Sequence, residues 1–278
     1  MTYFSIGGAL LVNFAVIVLA MLALWRIAVR IGDVSFIDAV WGGAMALLAL
    51  ASWVQIAAAP GGAGARASLI AGMTAMWGAR LGWHLYTRWR AHGEDPRYAR
   101  MLGKARAAGR YGPAALRQVF GPQALLLFVT CLPAQLGVLA SRAPAPLGPL
   151  ALAGAALWLV GMIFETLGDA QLKRFRGDPA MAGKVLDTGL WRYTRHPNYF
   201  GDVCVWWGIW LAAAECGPWV ALAGLAGPAF VTWTLTKWSG KPLLEKGLAR
   251  TRPGYGEYVA RTSGFFPLPP RASGTKRG

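Results

Sequence analysis

The sequence predicts an all-α polytopic membrane protein with seven transmembrane helices. Three observations lead to this fold class. The 278-residue chain is 55% apolar and only 14% charged, its mean hydropathy is +0.40, and its apolar residues form long windows. Soluble domains carry about 25% charged residues, so this chain has too few charges for a water-covered surface. Helices are expected in the windows because a helix satisfies its own backbone groups inside lipid.

Seven windows approach the roughly 20 apolar residues that a helix needs to cross a hydrocarbon core. They are 5–25, 37–59, 67–87, 119–140, 147–168, 199–214 and 217–236. Residues 1–270 are therefore predicted to form a single seven-helix membrane domain, followed by a disordered tail at 271–278. No cleavable signal peptide is expected, because the N-terminus lacks a positively charged region.

The positions of the basic residues account for the net charge of +16. Of the 28 Lys and Arg residues, 25 lie in 26–30, 88–117 and 173–195 or from Lys237 onward. These segments are the odd-numbered connections between predicted spans and the C-terminal tail. The positive-inside rule then places the N-terminus outside and the C-terminus in the cytoplasm. Since topology explains the excess charge, we expect no nucleic-acid partner.

The cysteines and histidines do not have the spacing of a metal site. They are scattered over Cys131, Cys204, Cys216, His84, His92 and His196. No Walker-type loop or glycine-rich dinucleotide fingerprint between a strand and a helix is present either. We expect no metal.

Residues 187–202, DTGLWRYTRHPNYFGD, form a dense polar run directly before an apolar window, and we call this run the clamp. Pro197 disfavours a helical His196, so a helix is expected to begin there and reach Trp210. Amides at a helix start with basic side chains beside them bind phosphate or other anions. The candidate cofactor-binding residues here are Tyr193, Arg195, His196, Asn198, Tyr199 and Asp202. The alternative is an arginine-rich loop that contacts lipid head groups.

Polar side chains on the second and third predicted helices indicate a cavity. Asp38 opens a strongly apolar helix, where an ionisable group marks a site unless it only complements the helix dipole. Trp77, Arg80 and His84 share one helix face, and Arg88 continues that row. For Arg88 the alternative is snorkelling to the membrane surface. The candidate catalytic residues are Asp38, Trp77, Arg80, His84 and Tyr86.

The end of the fifth predicted span carries Glu165 and Asp169 four residues apart, and Lys173 and Arg176 extend the same face. One interpretation is a pair of ordinary salt bridges. The other is a binding surface for a long polar ligand, with acidic acceptors at depth and Arg176 at a phosphate. In the basic, amphipathic C-terminal tail, the residues expected to close over the clamp are Lys237, Lys241, Glu245, Arg252, Tyr255 and Tyr258.

Several of these segments together resemble the bacterial branch of the steroid 5α-reductase-like membrane proteins. The segments are SFIDAVWG, WGARLGWHLYTR, FETLGDAQLKRFR, RHPNYFGD and PLLEK with GYGEYVARTSGFFP. The similarity extends over nearly the whole chain. RHPNYFGD alone is less specific, because isoprenylcysteine and phospholipid methyltransferases and sterol C14 reductases have similar segments.

The resemblance implies a seven-helix bundle that holds NADPH and reduces the 4,5 double bond of a 3-oxo-4-ene steroid or a related enone lipid. It implies cofactor contacts by Glu165, Asp169 and Arg176, with Asn198 and Asp202 at the nicotinamide end. Combined with their positive charge, the resemblance assigns the phosphates to Arg88, Arg176 and Arg195. It also places Lys241, Glu245 and Tyr255 over the cofactor. We also expect a monomer in the bacterial inner membrane. Its active-site mouth should face the cytoplasm, and its apolar substrate should enter from the lipid.

The substrate pair of the family is a glutamate on the second helix and a tyrosine on the third. Asp38 falls at or near the first, whereas Trp77 falls on the second and has no acidic hydroxyl. A protonated Asp38, or His84 or Tyr86, would then donate to the substrate carbonyl. The rival interpretations are an S-adenosylmethionine-dependent membrane methyltransferase and a lipid-binding or scaffold protein without enzymatic activity.

Overall fold

The computed structural model describes residues 5–238 and 240–271. Within these residues the structure is α-helical and contains no strand, and only two isolated β-bridges occur. This confirms the predicted all-α class. The predicted tail at 271–278 lies outside the described residues except for Arg271.

Two compact units divide the described chain, and each is treated separately below. The first unit comprises the residues up to Gly154 together with Ile209–Gly227. The second comprises Ala155–Gly208 and the described residues from Pro228 onward. Two long helices, Pro149–Gly177 and Pro197–Ala214, contribute to both units.

The first unit contains most of the helices. They are α1 (Ile6–Ile31), α2 (Ile37–Ala57), α3 (Ala65–His92), α4 (Pro96–Ala107), α5 (Tyr111–Ala115), α6 (Gly121–Thr130), α7 (Leu132–Leu139) and α10 (Pro218–Gly224), with a π-helical turn at Leu116–Phe120. Local sequence signals explain several ends. Ser5 accepts the amide of Gly8 at the start of α1, and Asp95 accepts the amide of Arg97 at the start of α4. Gly32 ends α1 with a φ of 73°.

The second unit is built on α8 (Pro149–Gly177) and α9 (Pro197–Ala214). The other helices are α11 (Ala226–Trp233), α12 (Lys241–Thr251) and α13 (Tyr255–Arg261), with a π-helical turn at Thr234–Trp238 and 3₁₀ turns at Pro179–Met181 and Gly189–Arg192. The helix start predicted at Pro197 is confirmed. The helix extends past Trp210 to Ala214.

Four helical stretches are long and apolar enough to cross a membrane, and a fifth qualifies if a bent helix pair counts as one span. They are α1, α2, α8 and Pro218–Trp238, and the bent pair is Tyr111–Thr130 with Leu132–Leu139 at 49°. The predicted windows 67–87 and 199–214 are helices α3 and α9. Arginine, histidine and tryptophan lower the hydropathy of α3, and Asn198 and Asp202 lower that of α9. The seven-span count and the orientation stay predictions.

Glycines allow close helix contact in both units. In the first unit, a methyl group on Gly42 of α2 would come within 2.5 Å of the Gly78 carbonyl oxygen of α3. In the second, a methyl group on Gly161 of α8 would lie 2.5 Å from the Gly201 carbonyl oxygen of α9, and one on Gly201 would overlap the Glu165 amide. Small residues bring membrane helices together in this way. The contact in the second unit fixes α9 against the part of α8 that carries the acidic residues.

Candidate functional site

The predicted site residues divide between the two units. The first unit holds Asp38, Trp77, Arg80, His84, Tyr86 and Arg88. The second holds Glu165, Asp169, Arg176, Tyr193, Arg195, His196, Asn198, Tyr199, Asp202, Lys241, Glu245 and Tyr255. Each group is described within its own unit.

In the second unit, α8 and α9 bring two carboxylates and an amide together. Glu165 is 3% exposed and Asp169 is 8% exposed. Asn198, in the first turn of α9, donates from Nδ2 to Asp169 Oδ1 at 2.9 Å. The close approach of Gly168 to the Asn198 backbone allows this bond, because a methyl group at Gly168 would lie 3.0 Å from the Asn198 nitrogen. A buried acidic patch therefore faces the start of α9.

The clamp is fixed to α8 through backbone contacts. Gln171 Oε1 accepts the amide of Leu190 at 3.0 Å, and the Trp191 indole donates to the Gly168 carbonyl at 3.2 Å. Gln171 is absent from the predicted site. Gln171 lies two residues after Asp169, in the polar end of α8, and this position indicates a possible site residue. A glutamine side chain there does not predict a backbone amide as its partner.

A charged cluster joins the clamp to α12. Arg195 donates from Nε to Glu245 Oε1 at 2.9 Å and from Nη2 to Oε2 at 3.3 Å. His196 Nε2 lies 3.0 Å from the same Glu245 Oε1, and the His196 ring stacks on Tyr199 at 5.2 Å with an interplanar angle of 5°. Two consecutive clamp side chains thus converge on one carboxylate.

The protonation states of this cluster follow from burial and hydrogen bonding. Burial disfavours the charged Glu245 carboxylate, but the hydrogen bonds from His196 and Arg195 outweigh it and lower its pKa to about 2. Burial lowers the pKa of His196 below its ordinary value, although Glu245 opposes this shift. At neutral pH we therefore assign an ionised Glu245 and a neutral His196 whose Nε2–H donates to it.

The chain after α12 wraps over the clamp. The Thr194 hydroxyl donates to the Phe265 carbonyl at 2.7 Å, and the Arg195 amide donates to the Ser263 carbonyl at 2.9 Å. Arg195 Nη1 also donates to the Thr262 carbonyl at 2.6 Å. Arg195 is thereby engaged as a link between clamp and tail, and a phosphate contact by its guanidinium stays a prediction.

The remaining tail candidates lie beside this link. Lys241 Nζ would be 2.6 Å from a methyl group on Gly264. The lysine side chain therefore reaches the segment that contacts the clamp through Ser263 and Phe265. Tyr255 is buried, and burial together with the charge of Glu245 raises its pKa to about 12. It packs against Tyr258, whose hydroxyl donates to the Trp191 carbonyl at 2.6 Å. Sequence analysis missed Thr194, since its partner is a carbonyl that no motif specifies.

Three further candidates of the second unit lie outside these clusters. Asp202 is half-buried in the second turn of α9. Arg176 is exposed in the last turn of α8, and Tyr193 is exposed in the clamp. The exposed positions of Arg176 and Tyr193 are compatible with contact to a ligand at the edge of the unit.

In the first unit, Asp38 contacts α4, which lies in the basic connection between the third and fourth predicted spans. Tyr98 of α4 donates its hydroxyl to Asp38 Oδ1 at 2.7 Å, and Arg97 Nη2 lies 3.1 Å from Oδ2. The Asp38 side chain is 37% exposed. Burial and the neighbouring Asp38 charge raise the pKa of the Tyr98 phenol, so the phenol keeps its proton. A phenolic hydroxyl therefore lies beside Asp38, which the sequence analysis missed because it comes from 60 residues away.

The α3 candidates do not all share one surface. Trp77 is buried, Arg80 and His84 are half-buried, and Arg88 is exposed. Tyr86 lies off this row by helical geometry. It lines an apolar groove and its ring is 6.0 Å from that of Trp89. The structure thus separates Tyr86 from the polar face of α3.

Comparisons with known proteins complete the description. A family described as "Protein of unknown function (DUF1295)" matches residues 24–262. The protein named "3-oxo-5-alpha-steroid 4-dehydrogenase 1" of Bos taurus is 37% identical over 71 residues, which cover 26% of this chain and 28% of that protein. The protein of the same name from Mus musculus is 38% identical over 65 residues, covering 23% and 26%. That from Rattus norvegicus is 35% identical over 88 residues, covering 32% and 30%.

These alignments cover less than a third of the length of each of these relatives. No solved structure matches the chain significantly. The family match, by contrast, covers most of the sequence, from the end of α1 to the residue after α13. The chain belongs to the family described as "Protein of unknown function (DUF1295)".

Proposed function

We propose that this protein is a membrane oxidoreductase that uses NADPH to reduce the carbon–carbon double bond of an apolar enone, of the 3-oxo-4-ene steroid type or a related lipid. One observation carries the proposal. Glu165 and Asp169 are almost fully buried in a helix apolar enough to cross a membrane, and Asn198 of α9 donates a hydrogen bond to Asp169. Ionisable groups at such depth are costly and are typical of functional sites. The names of the related mammalian proteins, 3-oxo-5-alpha-steroid 4-dehydrogenase 1, support the reaction class.

The residues of the second unit fit a pyridine dinucleotide. Ribose hydroxyls and a carboxamide NH₂ are donors and need acceptors, which Glu165 and Asp169 supply. Phosphates need cations and amide donors, and Arg176, Lys241 and the start of α9 offer them. When bound, the cofactor supplies a hydride. The protein binds it, orients it and excludes water from it.

The substrate oxygen is assigned to the first unit. Reduction of an enone places negative charge on the carbonyl oxygen, which a hydrogen-bond donor stabilises. Tyr98 and Arg97 both bring donor hydrogens to Asp38. We infer that Asp38 orients these donors, and that the substrate oxygen takes one of their hydrogen bonds. His84 and Arg80 stay predicted contacts.

Cofactor titration tests the proposal. NADPH added to the purified protein in detergent should quench the fluorescence of its 14 tryptophans, and S-adenosylmethionine should not. Asp169→Ala should weaken NADPH binding at least tenfold because it removes an acceptor, whereas Asp178→Ala, at an exposed position after α8, should not change it. Binding of S-adenosylmethionine alone would replace the reductase by the methyltransferase.

Turnover provides the second test. Wild-type protein should oxidise NADPH in the presence of an enone lipid but not in the presence of the corresponding saturated ketone. Asp38→Asn should abolish this turnover and leave the affinity for NADPH nearly unchanged. Full activity of the variant would remove Asp38 from the mechanism.

A further inference from the structure

An apolar groove lies where α1 ends, α2 begins and α3 ends. Its volume is about 260 Å³. The lining side chains come from all three helices: Ile27 and Ile31, Ala39 and Val40, and Tyr86 and Trp89. None of these side chains carries a charge, so the groove suits a hydrocarbon chain.

The aromatic wall of the groove is held in place by hydrogen bonds. Phe36 meets Trp89 edge to face at 5.9 Å. The Trp89 indole donates to Asp33 Oδ2 at 2.8 Å, and Asp33 Oδ1 also accepts the amide and hydroxyl of Ser35 at 2.6 and 2.7 Å. The connection between α1 and α2 thus anchors the ring from α3. A preformed wall loses little conformational entropy when a ligand binds.

The groove has the features of a membrane boundary. α1 and α2 are both apolar enough to cross a membrane. Trp83, which is 69% exposed, lies one turn before the groove on α3. Arg30 and Arg90 directly adjoin the lining residues Ile31 and Trp89. Tryptophan and basic residues concentrate at the level of the lipid head groups.

The rim of the groove has excess positive charge. Arg30 and Arg90 are exposed, and among the described residues neither forms an ion pair. Of the acidic groups nearby in sequence, Glu94 pairs with Arg106 and Asp38 pairs with Arg97. Asp33 keeps its charge because its partners Ser35 and Trp89 are neutral donors, so two cations stand against one carboxylate. A negatively charged group is therefore the complement of this rim.

We propose that the groove binds one anionic phospholipid, with an acyl chain along the apolar lining and the head-group phosphate at Arg30 and Arg90. Lipid covers any apolar membrane surface, but a rigid aromatic wall next to two unpaired cations distinguishes anionic from neutral lipids. None of the proposed cofactor residues lines the groove. The inference therefore does not depend on the proposed reaction.

Native mass spectrometry of the full-length protein in detergent tests this site. The protein is mixed with equal amounts of phosphatidylglycerol and phosphatidylcholine with identical acyl chains. We expect a preference of at least tenfold for phosphatidylglycerol. A basic residue beside an anionic lipid contributes a factor of about five, so the double variant Arg30→Gln/Arg90→Gln should bind phosphatidylglycerol roughly 25-fold more weakly.

Two controls separate this site from general charge attraction. Arg100→Gln/Lys104→Gln removes the same charge from exposed positions on α4 and should leave lipid binding unchanged. Ala39→Phe fills the groove and should weaken phosphatidylglycerol binding while both arginines remain. Because the arginine variants alter only exposed side chains, they keep the test valid if Ala39→Phe fails to fold.

Three results would overturn the proposal. Equal binding of phosphatidylglycerol and phosphatidylcholine by the wild-type protein would show that the groove does not select anionic lipids. An equal loss in the α4 control variant would show that net charge alone attracts the lipid. Competition by soluble glycerol phosphate at the same concentration as phosphatidylglycerol would show a phosphate site without a role for the groove.

Discussion

The acidic groups of the two units have opposite surroundings. In the second unit, Glu165 and Asp169 are buried, and Asn198 binds the latter from the adjacent helix. In the first unit, the Asp38 side chain is 37% exposed and its partners Tyr98 and Arg97 come from α4. The second unit therefore depends on exact complementarity between buried polar groups. In the first, both members of the ion pair between Arg97 and Asp38 are partly exposed.

This difference predicts a ranking of mutational effects. Removing one partner of a buried ion pair costs about 3–5 kcal/mol, since the other charge stays buried and unpaired. An exposed pair contributes about 0–1 kcal/mol. Variants of the charged cluster that joins the clamp to α12 should therefore destabilise the protein more than variants at Asp38.

Glu245→Ala should have the largest effect. It leaves Arg195, which is 9% exposed, and His196 without the carboxylate that both contact. We expect a loss of about 3 kcal/mol in the free energy of unfolding, measured by tryptophan fluorescence in detergent. Glu257→Ala, at an exposed position on α13, is the matched control and should be neutral. Equal stability of the two variants would contradict a buried ion pair.

Acidification should destabilise the second unit in two stages. The pKa of His196 is below its ordinary value of 6.5, so the unfolded chain binds a proton first and stability falls as the pH drops below 6.5. The pKa of Glu245 is lowered from 4.5 to about 2, so its contribution is present above 4.5 and is lost as the pH falls toward 2.

The variants His196→Gln and Glu245→Gln separate these stages. Unfolding is measured between pH 7 and about pH 3, a range that includes the ordinary pKa values of histidine and carboxyl groups. His196→Gln should remove the upper stage, and Glu245→Gln should flatten the lower one. A wild-type profile that stays flat below pH 6.5 would contradict the assignment of a neutral, buried His196.

The contrast also explains how far the sequence could predict the site. Glu165 and Asp169 share a helix face by spacing, and Pro197 marks a helix start. The two helices that form the acidic patch of the second unit were therefore predictable from local pattern. The bond between Asn198 and Asp169 depends on the glycine contacts between α8 and α9, and no single segment encodes it. Both acidic side chains are buried within the protein, and their depth in the membrane stays a prediction.

The partners of Asp38 were not predictable in the same way. Tyr98 lies in a basic connection outside the predicted spans, and the hydrogen bond to Asp38 spans 60 residues of sequence. Asp95 and Pro96 were a recognisable helix start, but a helix start does not specify what the next turn contacts. Tertiary placement of α4 determines this contact, and periodicity contains no information about it.

Tyr98→Phe should have a smaller effect than the Glu245 variant. It removes one hydrogen bond to Asp38, which is worth about 1 kcal/mol of stability. In the proposed reaction it should also lower kcat/KM for the enone about tenfold and leave NADPH binding unchanged. Tyr111→Phe removes a phenolic hydroxyl at the start of α5, outside the proposed site, and should retain wild-type activity. Similar losses in both variants would remove Tyr98 from the site.

Arg97→Gln should have the smallest effect, below about 1 kcal/mol, because Arg97 is 59% exposed and solvent screens its contacts with Asp38 and Asp95. The difference from wild type, measured by thermal unfolding, should shrink further in 1 M salt, where the Debye length is about 3 Å. A loss as large as that of Glu245→Ala would mean that Asp38 depends on its partner as a buried acid does. The distinction between the two units would then have to be abandoned.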